Sequence, residues 1–383
     1  MKAELESKFK EIYGKEAAAT YTTPGRVNLI GEHIDYNGGL VLPCAITLGT
    51  MLSIAPNDDH VIRFSSMNFP QSYTIEVKSS YQKSGTDWYN YPLGVIECFQ
   101  LRGKNITGFD FLFNGTIPIG SGLSSSAAIE VVTAYALNDY MELGFSRLDL
   151  VLLCKDVENK FMGVNSGIMD QFAVAFGESE KAILLNCDTL KFQLIDCYLG
   201  KYSLAVINTN KSRKLSESKY NERVAECQQA LADLQQEITI HNLCELTGEK
   251  LALHKHLIND PTVLNRATHV VTENDRVILA AKALNERNIT LFGKLMYASH
   301  ESLRTLYDVS GLELDTIVDY CATFEHVIGA RMTGAGFGGC AIALVETEYI
   351  EEFRTGLTAY YTEKVGYEPS VYISEVGDGA KKI

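Results

Sequence analysis

The chain has 383 residues, 46% of them hydrophobic, and a formal net charge of −14, values that fit a folded protein with room for two domains. Its 48 acidic against 34 basic side chains argue against a nucleic-acid or anionic-membrane partner, although a local basic pocket for phosphate is compatible with them. No segment reaches the roughly 18 apolar residues of a membrane span. The nine cysteines form no C-x-x-C pair and no zinc-ligand cluster. We expect a cytoplasmic monomer with reduced thiols.

The first half of the chain predicts a mixture of strands and helices. It opens with an amphipathic helix over 1–14, whose apolar side carries Leu5 and Phe9. The following predicted strands are 40–44, 50–55, 61–65, 73–77 and 108–114, and the predicted helices are 87–102, 126–141, 147–162 and 168–176. The segments 182–187 and 191–197 are expected to pair as a hairpin, with another strand at 203–208.

The second half of the chain predicts mainly long helices with polar faces, followed by a strand, a helix and a strand. The helices are 216–236, 266–286, 288–306 and 312–323, and the closing elements are 340–345, 349–364 and 370–375. Because strands and helices do not alternate regularly, we predict the α+β class. The change in character predicts two domains, 1–200 and 201–383, and the lack of a linker predicts a tight interface between them.

The segment 24–39 gathers polar groups between glycines. Arg26 supplies a cation, while Glu32, His33 and Asp35 supply acceptors, a combination that suits a ligand with many hydroxyl groups. A plain loop is the alternative interpretation. Apolar side chains next to the cluster should hold it against a core, and this favours a binding site.

Residues 116–128 predict a turn, rich in glycine and serine, between a strand and a helix. Such a turn lets backbone N–H groups converge on an anion, and the helix N-terminus adds the positive end of its dipole. The hydroxyls of Ser124, Ser125 and Ser126 can bind phosphate or Mg²⁺. The Walker P-loop needs a lysine that is missing here, and the dinucleotide fingerprint needs a glycine where Ser125 stands. We predict a nucleotide-phosphate site of another design, with an ordinary turn as the alternative.

Two carboxylates and two further features are candidates for the same site. Glu158 is predicted at the edge of a buried helix face, where it either shares Mg²⁺ with a loop hydroxyl or reaches solvent. Asp170 is predicted in the first turn of a helix, which favours the ionised form that a proton acceptor needs but is also ordinary helix stabilisation. Trp88 either stacks on a base or packs in a core. The glycine-rich stretch 331–340 either closes over phosphates or turns tightly.

Three motifs resemble the GHMP kinases and, within them, the galactokinase family. Residues 25–39 match G-R-x-N-L-I-G-E-H-x-D-Y-x-x-G, residues 118–127 match P-x-G-x-G-L-S-S-S-A, and residues 332–340 match M-T-G-x-G-F-G-G-C. The stretch 167–171 is also similar to that family, and the matches keep the family's order. The resemblance implies a two-domain GHMP kinase fold. Its N-terminal domain resembles ribosomal protein S5 domain 2, and its C-terminal domain is ferredoxin-like with extra helices.

The resemblance also implies an activity and a role for each matched residue. The activity is phosphorylation of the anomeric hydroxyl of D-galactose to galactose 1-phosphate, with ATP as co-substrate and Mg²⁺ as the metal. Asp170 matches the proton acceptor, and Arg26 matches a cation that stabilises the transferring phosphoryl group. The implied sugar-binding residues are Glu32, His33, Ile34, Asp35, Gly167 and Tyr220. The implied nucleotide contacts are Ser66, Trp88, Gly120, Ser121, Gly122, Leu123, Ser124, Ser125 and Ser126, and the implied Mg²⁺ ligands are Ser126 and Glu158.

Two alternatives stay open at this point. Another GHMP kinase, such as an N-acetylgalactosamine kinase, an arabinokinase or a mevalonate kinase, would share most of the motifs, although the intact run 32–36 favours galactose. A sugar sensor would bind ATP and galactose without catalysis and regulate a partner. Such sensors can lose residues just after the serine run, whereas residues 125–128 are all present here, as are Arg26 and Asp170.

Overall fold

The computed structural model describes residues 1–118, 120–164, 166–211 and 216–383, without the side chains of residues 216 and 217. The strands are β1 Ala19–Asn28, β2 Leu40–Val41, β3 Pro43–Pro56, β4 Val61–Ser66, β5 Tyr73–Glu76, β6 Phe109–Gly115, β7 Lys181–Asn186, β8 Phe192–Asp196, β9 Tyr202–Asn208, β10 Val327–Thr333, β11 Cys340–Glu346, β12 Ser370–Ser374 and β13 Lys381–Lys382. The helices are α1 Lys2–Tyr13, α2 Asn90–Leu101, α3 Ser125–Tyr140, α4 Arg147–Asp156, α5 Met169–Phe176, α6 Ser216–Leu234, α7 Gly248–His254, α8 Pro261–Asn285, α9 Ile289–Ser302, α10 Leu312–Thr323 and α11 Ile350–Val365. The predicted α+β class is confirmed.

Three sheets organise these elements. The first has the order β13-β1-β3-β6-β4-β5, in which only the β4–β6 pair is parallel among the described strands. The second is antiparallel with the order β10-β11-β9-β12, and with the helices between β9 and β10 and between β11 and β12 it follows the βαββαβ arrangement of ferredoxin-like domains. The predicted hairpin forms β7 and β8, which extend β2 into a third, small sheet.

The phenylalanines of β6 show why its sequence folds as a buried strand. Phe109, Phe111 and Phe113 alternate along β6, are almost completely buried, and lie in the main hydrophobic core. A residue alternation of this kind places one face of a strand against a core. The predicted amphipathic helix is confirmed as α1, which buries Leu5 and Phe9 in a smaller cluster. The chain therefore has one main core and a satellite core under its first helix.

Strands β1 and β10 and helix α7 were not predicted, and helix α8 starts earlier than expected. β1 contains Pro24 and Gly25, residues that are depleted in strands, so the pattern there indicated a turn. Helix α8 was expected from residue 266 but begins at Pro261, after Asp260 accepts a capping bond from the Thr262 N–H. The predicted helices 147–162 and 288–306 each change into a π-helical turn near their C-terminal end. The domain boundary near residue 200 stays a prediction.

Within the described ranges, no helix combines the length and the apolar character that crossing a bilayer requires.

Close contact between α9 and β10 depends on Gly293, and this makes a testable prediction. A Cβ at Gly293 would overlap the carbonyl oxygen of Ile328, which is backbone and cannot move aside easily. Alanine favours a helix over glycine by about 1 kcal/mol, but overpacking costs about 1–3 kcal/mol. Because the overlap is with a backbone atom, the overpacking cost should lie at the upper end of that range, so we expect Gly293→Ala to lower the free energy of unfolding by a net of about 2 kcal/mol, measured by urea denaturation.

Gly248→Ala is the matched control, since it lies at the exposed start of α7 with no atom within 4 Å of an added Cβ. Its unfolding free energy should stay within about 0.5 kcal/mol of the parent. An unchanged stability of Gly293→Ala would show that α9 and β10 do not pack at this distance.

Candidate active site

The pairing of β1 with β3 becomes irregular just before Arg26, where β3 advances by four residues, from Gly49 to Ala45, while β1 advances by two, from Pro24 to Arg26. Irregular strand pairing, of which β-bulges are the common form, occurs often next to functional sites. The missing Cβ of Gly25 makes room for the phosphate turn, because a Cβ there would lie 2.7 Å from the carbonyl oxygen of Leu123. The guanidinium of Arg26 is consequently buried between β1 and that turn.

The phosphate turn connects β6 to α3, as the sequence predicted. Gly120, Gly122 and Ser124 have φ values of 72°, 76° and 62°, so left-handed residues alternate along it. Repeated left-handed residues in such a turn aim backbone N–H groups inward and create an anion-binding concavity. The side chain of Leu123 is fully buried and anchors the turn in the core. Leu123 therefore fixes the turn to the core, while the polar groups of the turn line the site.

Each serine of the turn has a different environment. Ser124 and Ser126 donate to carboxylates, while Ser125 is exposed. Ser121 is buried, and its hydroxyl has no hydrogen-bond partner among the described residues. Ile119 lies outside the described residues. Among the predicted nucleotide contacts in this turn, the hydroxyls of Ser124 and Ser126 thus already bond neighbouring carboxylates. Those of Ser121 and Ser125 are available to a ligand.

Asp170 lies in the first turn of α5, as predicted, and connects Arg26 to the phosphate turn. Arg26 donates to Asp170 through Nε at 2.8 Å and Nη2 at 2.7 Å. A third bond comes from the Ser124 hydroxyl at 2.7 Å, and Arg26 Nη1 reaches the Gly122 carbonyl oxygen at 2.9 Å. Two guanidinium N–H groups and one hydroxyl therefore converge on the Asp170 carboxyl group, and charge-assisted hydrogen bonds of this kind fix its position.

Glu158 lies in the π-helical turn Val157–Met162 and accepts two serine hydroxyls. The Ser126 Oγ lies 2.9 Å from one carboxylate oxygen, and the Ser166 Oγ donates to the other. Burial and the charge of Asp170 raise the pKa of Glu158. One carboxylate with hydroxyl oxygens suits a hard cation that keeps substrate phosphates as its other ligands. Consistent with this limited ligand set, no cluster of three or more metal-binding side chains occurs in the described parts of the chain.

Glu32 and His33 form the wall of the site opposite the phosphate turn. Glu32 is buried and accepts hydrogen bonds from the Asn28 amide and from the backbone N–H of Gly334. Burial raises the pKa of Glu32, and Arg331 opposes that shift. The third glycine-rich stretch therefore contacts the predicted sugar residues as well as the phosphate turn, since a Cβ at Gly334 would lie 3.3 Å from the Gly122 carbonyl oxygen.

His33 has a defined tautomer. Burial, followed by the positive charge that His269 can carry, lowers the pKa of His33 to about 3, so its ring is neutral. Nε2 lies 3.1 Å from the Ala335 carbonyl oxygen, which can only accept, so this nitrogen carries the hydrogen. Nδ1 must then accept from the Tyr36 hydroxyl at 2.9 Å. The Tyr36 hydroxyl in turn lies 2.8 Å from that of Tyr307.

Asp35 and Gly167 fit against one another. A Cβ at Gly167 would overlap the Asp35 carboxylate, so only glycine allows this approach. Burial raises the pKa of Asp35 to about 7, and the nearby charge of Asp170 adds to the shift. Tyr220 completes this side of the site, with its ring 5.5 Å from those of His33 and Tyr36.

Three predicted residues lie apart from this cluster. The side chain of Ile34 is fully buried in the core, and its carbonyl accepts from the backbone of Asn37 and Gly39, so the structure does not bring it to the site. Trp88 packs face to face on Phe69 and edge-on to Phe113 of β6, and its indole N–H has no partner among the described residues. Ser66 bonds to Asn68 at the end of β4.

Comparison with known proteins gives the class of this site. A model of the GHMP kinase N-terminal domain matches residues 90–178, and one of the GHMP kinase C-terminal domain matches residues 280–363. A crystal structure of mevalonate kinase aligns with a TM-score of 0.71 at 22% identity, covering 94% of this chain and 100% of that one, which supports the fold alone. Fold and motifs together define a GHMP kinase.

Closer matches give the family within that class. A model of the galactokinase galactose-binding signature matches residues 7–56. The galactokinase of Clostridium beijerinckii is 48% identical over 382 residues, covering 99% of this chain and 98% of that protein. The galactokinase of Enterococcus faecalis is also 48% identical over 382 residues, covering 99% of each chain. The crystal structure of Lactococcus lactis galactokinase complexed with galactose aligns with a TM-score of 0.96 at 44% identity, covering 100% of this chain and 99% of that one. The chain belongs to the galactokinase family.

Several residues that build the site were not predicted from the sequence. Ser166 was not selected because it lies in a short polar loop without periodicity. Asn28 and Tyr36 lie inside the matched signature, so their type and position were visible, but their partners were not. Tyr307 carries no sequence signal at all, since its role comes from a contact with residue 36 across the molecule.

The left-handed backbone of Ser124 makes a testable prediction. Its φ of 62° is unfavourable for any residue with a Cβ, whereas glycine adopts it readily. Both Ser124→Ala and Ser124→Gly remove the hydroxyl bond to Asp170. Only the alanine variant keeps the backbone strain, so we expect it to be less stable than the glycine variant by about 1 kcal/mol in urea denaturation. Equal stability, or a more stable alanine variant, would contradict the left-handed turn.

Proposed function

We propose that the protein transfers the γ-phosphoryl group of ATP to the anomeric hydroxyl of D-galactose, with Asp170 as proton acceptor and Arg26 stabilising the transferring group. The observation that carries this proposal is the two-bond ion pair between Arg26 and Asp170. It lies where the phosphate turn and the predicted sugar residues meet. A base and a cation at that junction are what phosphoryl transfer between the two substrates needs.

The sugar side of the proposal rests on converging acceptors. Galactose offers several hydroxyl groups, and each needs a partner once water is removed. Glu32 and Asp35 supply carboxylate oxygens, while Gly167 leaves partly exposed backbone next to Asp35. Both ring nitrogens of His33 are already bonded, to a tyrosine hydroxyl and a backbone carbonyl, so the neutral ring lines the site beside these carboxylates. The ring of Tyr220 adds an apolar surface with a polar end. This set supports a polyhydroxylated acceptor rather than an acidic or apolar one.

The nucleotide side rests on the phosphate turn and the start of α3. Backbone N–H groups there, together with the helix dipole, favour the negative charge of ATP phosphates. The buried hydroxyl of Ser121 is available as a further donor. Trp88 lies with its ring 5.5 Å from Phe113 of β6, the strand that leads into the turn, and Ser66 ends the neighbouring β4. Base contacts at Trp88 and Ser66 belong to this proposal.

The chemical step follows from the positions of Arg26 and Asp170. The anomeric oxygen forms a bond to the γ-phosphorus while the bond from that phosphorus to the β–γ bridging oxygen breaks, and ADP leaves. Asp170 accepts the hydroxyl proton, and Arg26, held at 2.8 Å and 2.7 Å from that carboxylate, faces the transferring charge. Because such transition states are loose, positioning and charge compensation supply most of the rate enhancement.

Mg²⁺ would be held by Glu158 and Ser126, whose oxygens already lie 2.9 Å apart. When bound, the metal neutralises charge on the β- and γ-phosphates. The donor set fits a cation that arrives with its nucleotide, because one carboxylate and one hydroxyl leave most ligand positions to phosphate and water. Ser166, which also donates to Glu158, holds the carboxylate in place.

The proposed base makes a prediction for Asp170→Asn. Asparagine keeps the size and can still accept one hydrogen bond from Arg26, but it cannot take a proton. We expect kcat to fall by about 10²–10⁴-fold while galactose and ATP still bind within several-fold of the parent, measured by ADP release and calorimetry. Asp188→Asn, in the exposed turn between β7 and β8, is the control and should leave both readouts unchanged.

The same ADP-release measurement distinguishes galactose phosphorylation from the two alternatives, another GHMP kinase activity and a sugar sensor without catalysis. It should be run with galactose, N-acetylgalactosamine, glucose, arabinose and mevalonate, and we expect the highest kcat/KM for galactose. Turnover preferring another acceptor would identify a different GHMP kinase. Sugar binding without turnover would identify a sensor. Near-parental ADP release from Asp170→Asn would remove Asp170 from the role of base.

Asp35 makes a pH-dependent prediction. Its pKa of about 7 means that it gains a proton as the pH falls below 7, and a protonated carboxyl group is a poorer acceptor for sugar hydroxyls. We expect the dissociation constant for galactose to rise below pH 7, by at most about tenfold per pH unit. Calorimetry without nucleotide measures this, because it avoids the titration of ATP.

Asp35→Asn is the control for that profile. It should bind galactose more weakly at pH 8 and lose the rise between pH 7 and pH 5.5, since the titrating group is gone. A parental dissociation constant that stays flat between pH 8 and pH 5.5 would contradict the role of Asp35 as a charged sugar acceptor.

A further inference from the structure

Helix α8, from the second half of the chain, holds the backbone of the loop that carries the predicted sugar residues. The Gly31 N–H donates to Glu273 Oε1 at 2.9 Å, and the Nε2 of His269 lies 3.2 Å from the Glu32 carbonyl oxygen. His269 and Glu273 are four residues apart, so they lie on the same face of α8. The peptide group before Gly31 and the one after Glu32 are thus bonded to one helix, 242 residues away in sequence for the Gly31 contact.

Glu273 is a fully buried charge with an unusually complete set of partners. Besides the Gly31 N–H, it accepts from the Ser299 hydroxyl at 2.5 Å and from Arg276 Nε at 2.6 Å. Burial by itself would raise the pKa of Glu273, but the charges of Arg276, His269 and Arg331 outweigh it and lower the pKa to about 2. Glu273 is consequently a carboxylate under all ordinary conditions.

Arg331 joins this helix carboxylate to the predicted sugar carboxylate. It is fully buried and lies 3.5 Å from Glu32 and 3.8 Å from Glu273. It also donates to the Asn28 carbonyl oxygen at 3.0 Å and to Ser299 at 3.3 Å. Its Nη2 has no hydrogen bond within the described part of the chain. A single guanidinium, held by Asn28 and Ser299, therefore lies within ion-pair distance of two carboxylates.

We propose that Glu273 is a positioning residue for sugar binding, acting on the backbone of Gly31 and, through Arg331, on the carboxylate of Glu32. The proposal rests on the proposed role of Glu32 in binding the sugar. Removing the charge of Glu273 leaves Arg331 with Glu32 as its one close carboxylate partner, and a tighter pair turns Glu32 away from the sugar hydroxyls. If glutamine replaces Glu273 and its oxygen keeps the bond to the Gly31 N–H, its NH₂ group is directed at Arg276. Arg276 then faces a donor instead of the carboxylate oxygen that accepts its hydrogen bond in the parent protein.

Glu273→Gln tests this, because glutamine keeps the volume of the side chain and its bond to Gly31. We expect the KM for galactose to rise about tenfold, while kcat and the KM for ATP stay within about threefold. Glu273→Asp keeps the charge and should recover part of the galactose affinity. Asp275→Asn, two residues along on the exposed side of α8, is the matched control and should change none of these constants.

A double-mutant cycle with Glu32→Gln separates positioning from general destabilisation. If Glu273 acts through Glu32, adding Glu273→Gln to Glu32→Gln should raise the galactose KM by less than about twofold further. Independent, additive effects would overturn the proposal, as would an unchanged galactose KM in folded Glu273→Gln. If Glu32→Gln itself leaves the galactose KM unchanged, the proposed sugar role of Glu32 fails instead.

Ser299→Ala is the second variant, in case Glu273→Gln does not fold. It removes one bond to Glu273 and one to Arg331 without changing any charge. We expect a rise of about threefold in the galactose KM at unchanged kcat. If kcat falls and the KM values for galactose and ATP rise by similar factors, Ser299 has a structural role alone, and this result would contradict positioning.

Discussion

The ion pair between Arg26 and Asp170 is the interaction on which the rest of the site depends. Burying the guanidinium of Arg26 costs desolvation, and the cost is offset only where its N–H groups are well paired. Here β1 supplies Arg26, the first turn of α5 supplies Asp170, and the phosphate turn supplies the Ser124 hydroxyl and the Gly122 carbonyl oxygen. Displacing any of these elements would leave a charge without its partner, so each one constrains the position of the others.

The site carries more negative than positive charge, and this excess adds to the effect of burial on the pKa of three of its carboxyl groups. Burial and neighbouring carboxylates raise the pKa of Asp35, Glu158 and Glu130 together. Glu130 is fully buried on α3, and its one side-chain hydrogen bond to the described residues comes from the Gln171 amide, at 3.5 Å. Arg26 is hydrogen-bonded to none of these three, since its donors are directed at Asp170 and at a backbone carbonyl oxygen of the phosphate turn. We expect a cation carried by the nucleotide to be favourable in such a site, because it supplies charge that the described side chains do not.

Local patterns in the sequence predicted the elements whose signals are local. The strand, turn and helix around the phosphate turn, the placement of Asp170 in a first helical turn, and the β7–β8 hairpin are confirmed. β1 was missed because Pro24 and Gly25 are residue types depleted in strands, and only pairing with β3, which is irregular at this point, makes the segment a strand. The motifs likewise contained Glu32 but not Glu273 or Arg331. The contacts of Glu273 with Gly31 and of Arg331 with Glu32 join residues hundreds of positions apart. Hydrophobic periodicity and motif spacing describe local structure, so they do not predict such partners.

The third glycine-rich stretch explains why the two halves of the chain need no linker. Its Gly334 N–H bonds to Glu32 and its Ala335 carbonyl accepts from His33, while Gly334 also lies against the Gly122 carbonyl oxygen of the phosphate turn. β10, which leads into this stretch, brings Arg331 beneath the same loop, and α8 bonds that loop from the other side. The second half of the chain therefore forms part of the wall of a site whose chemistry lies in the first half. Moving the halves apart would unpair Glu32, Glu273 and Arg331 inside the protein, a cost that holds the interface closed.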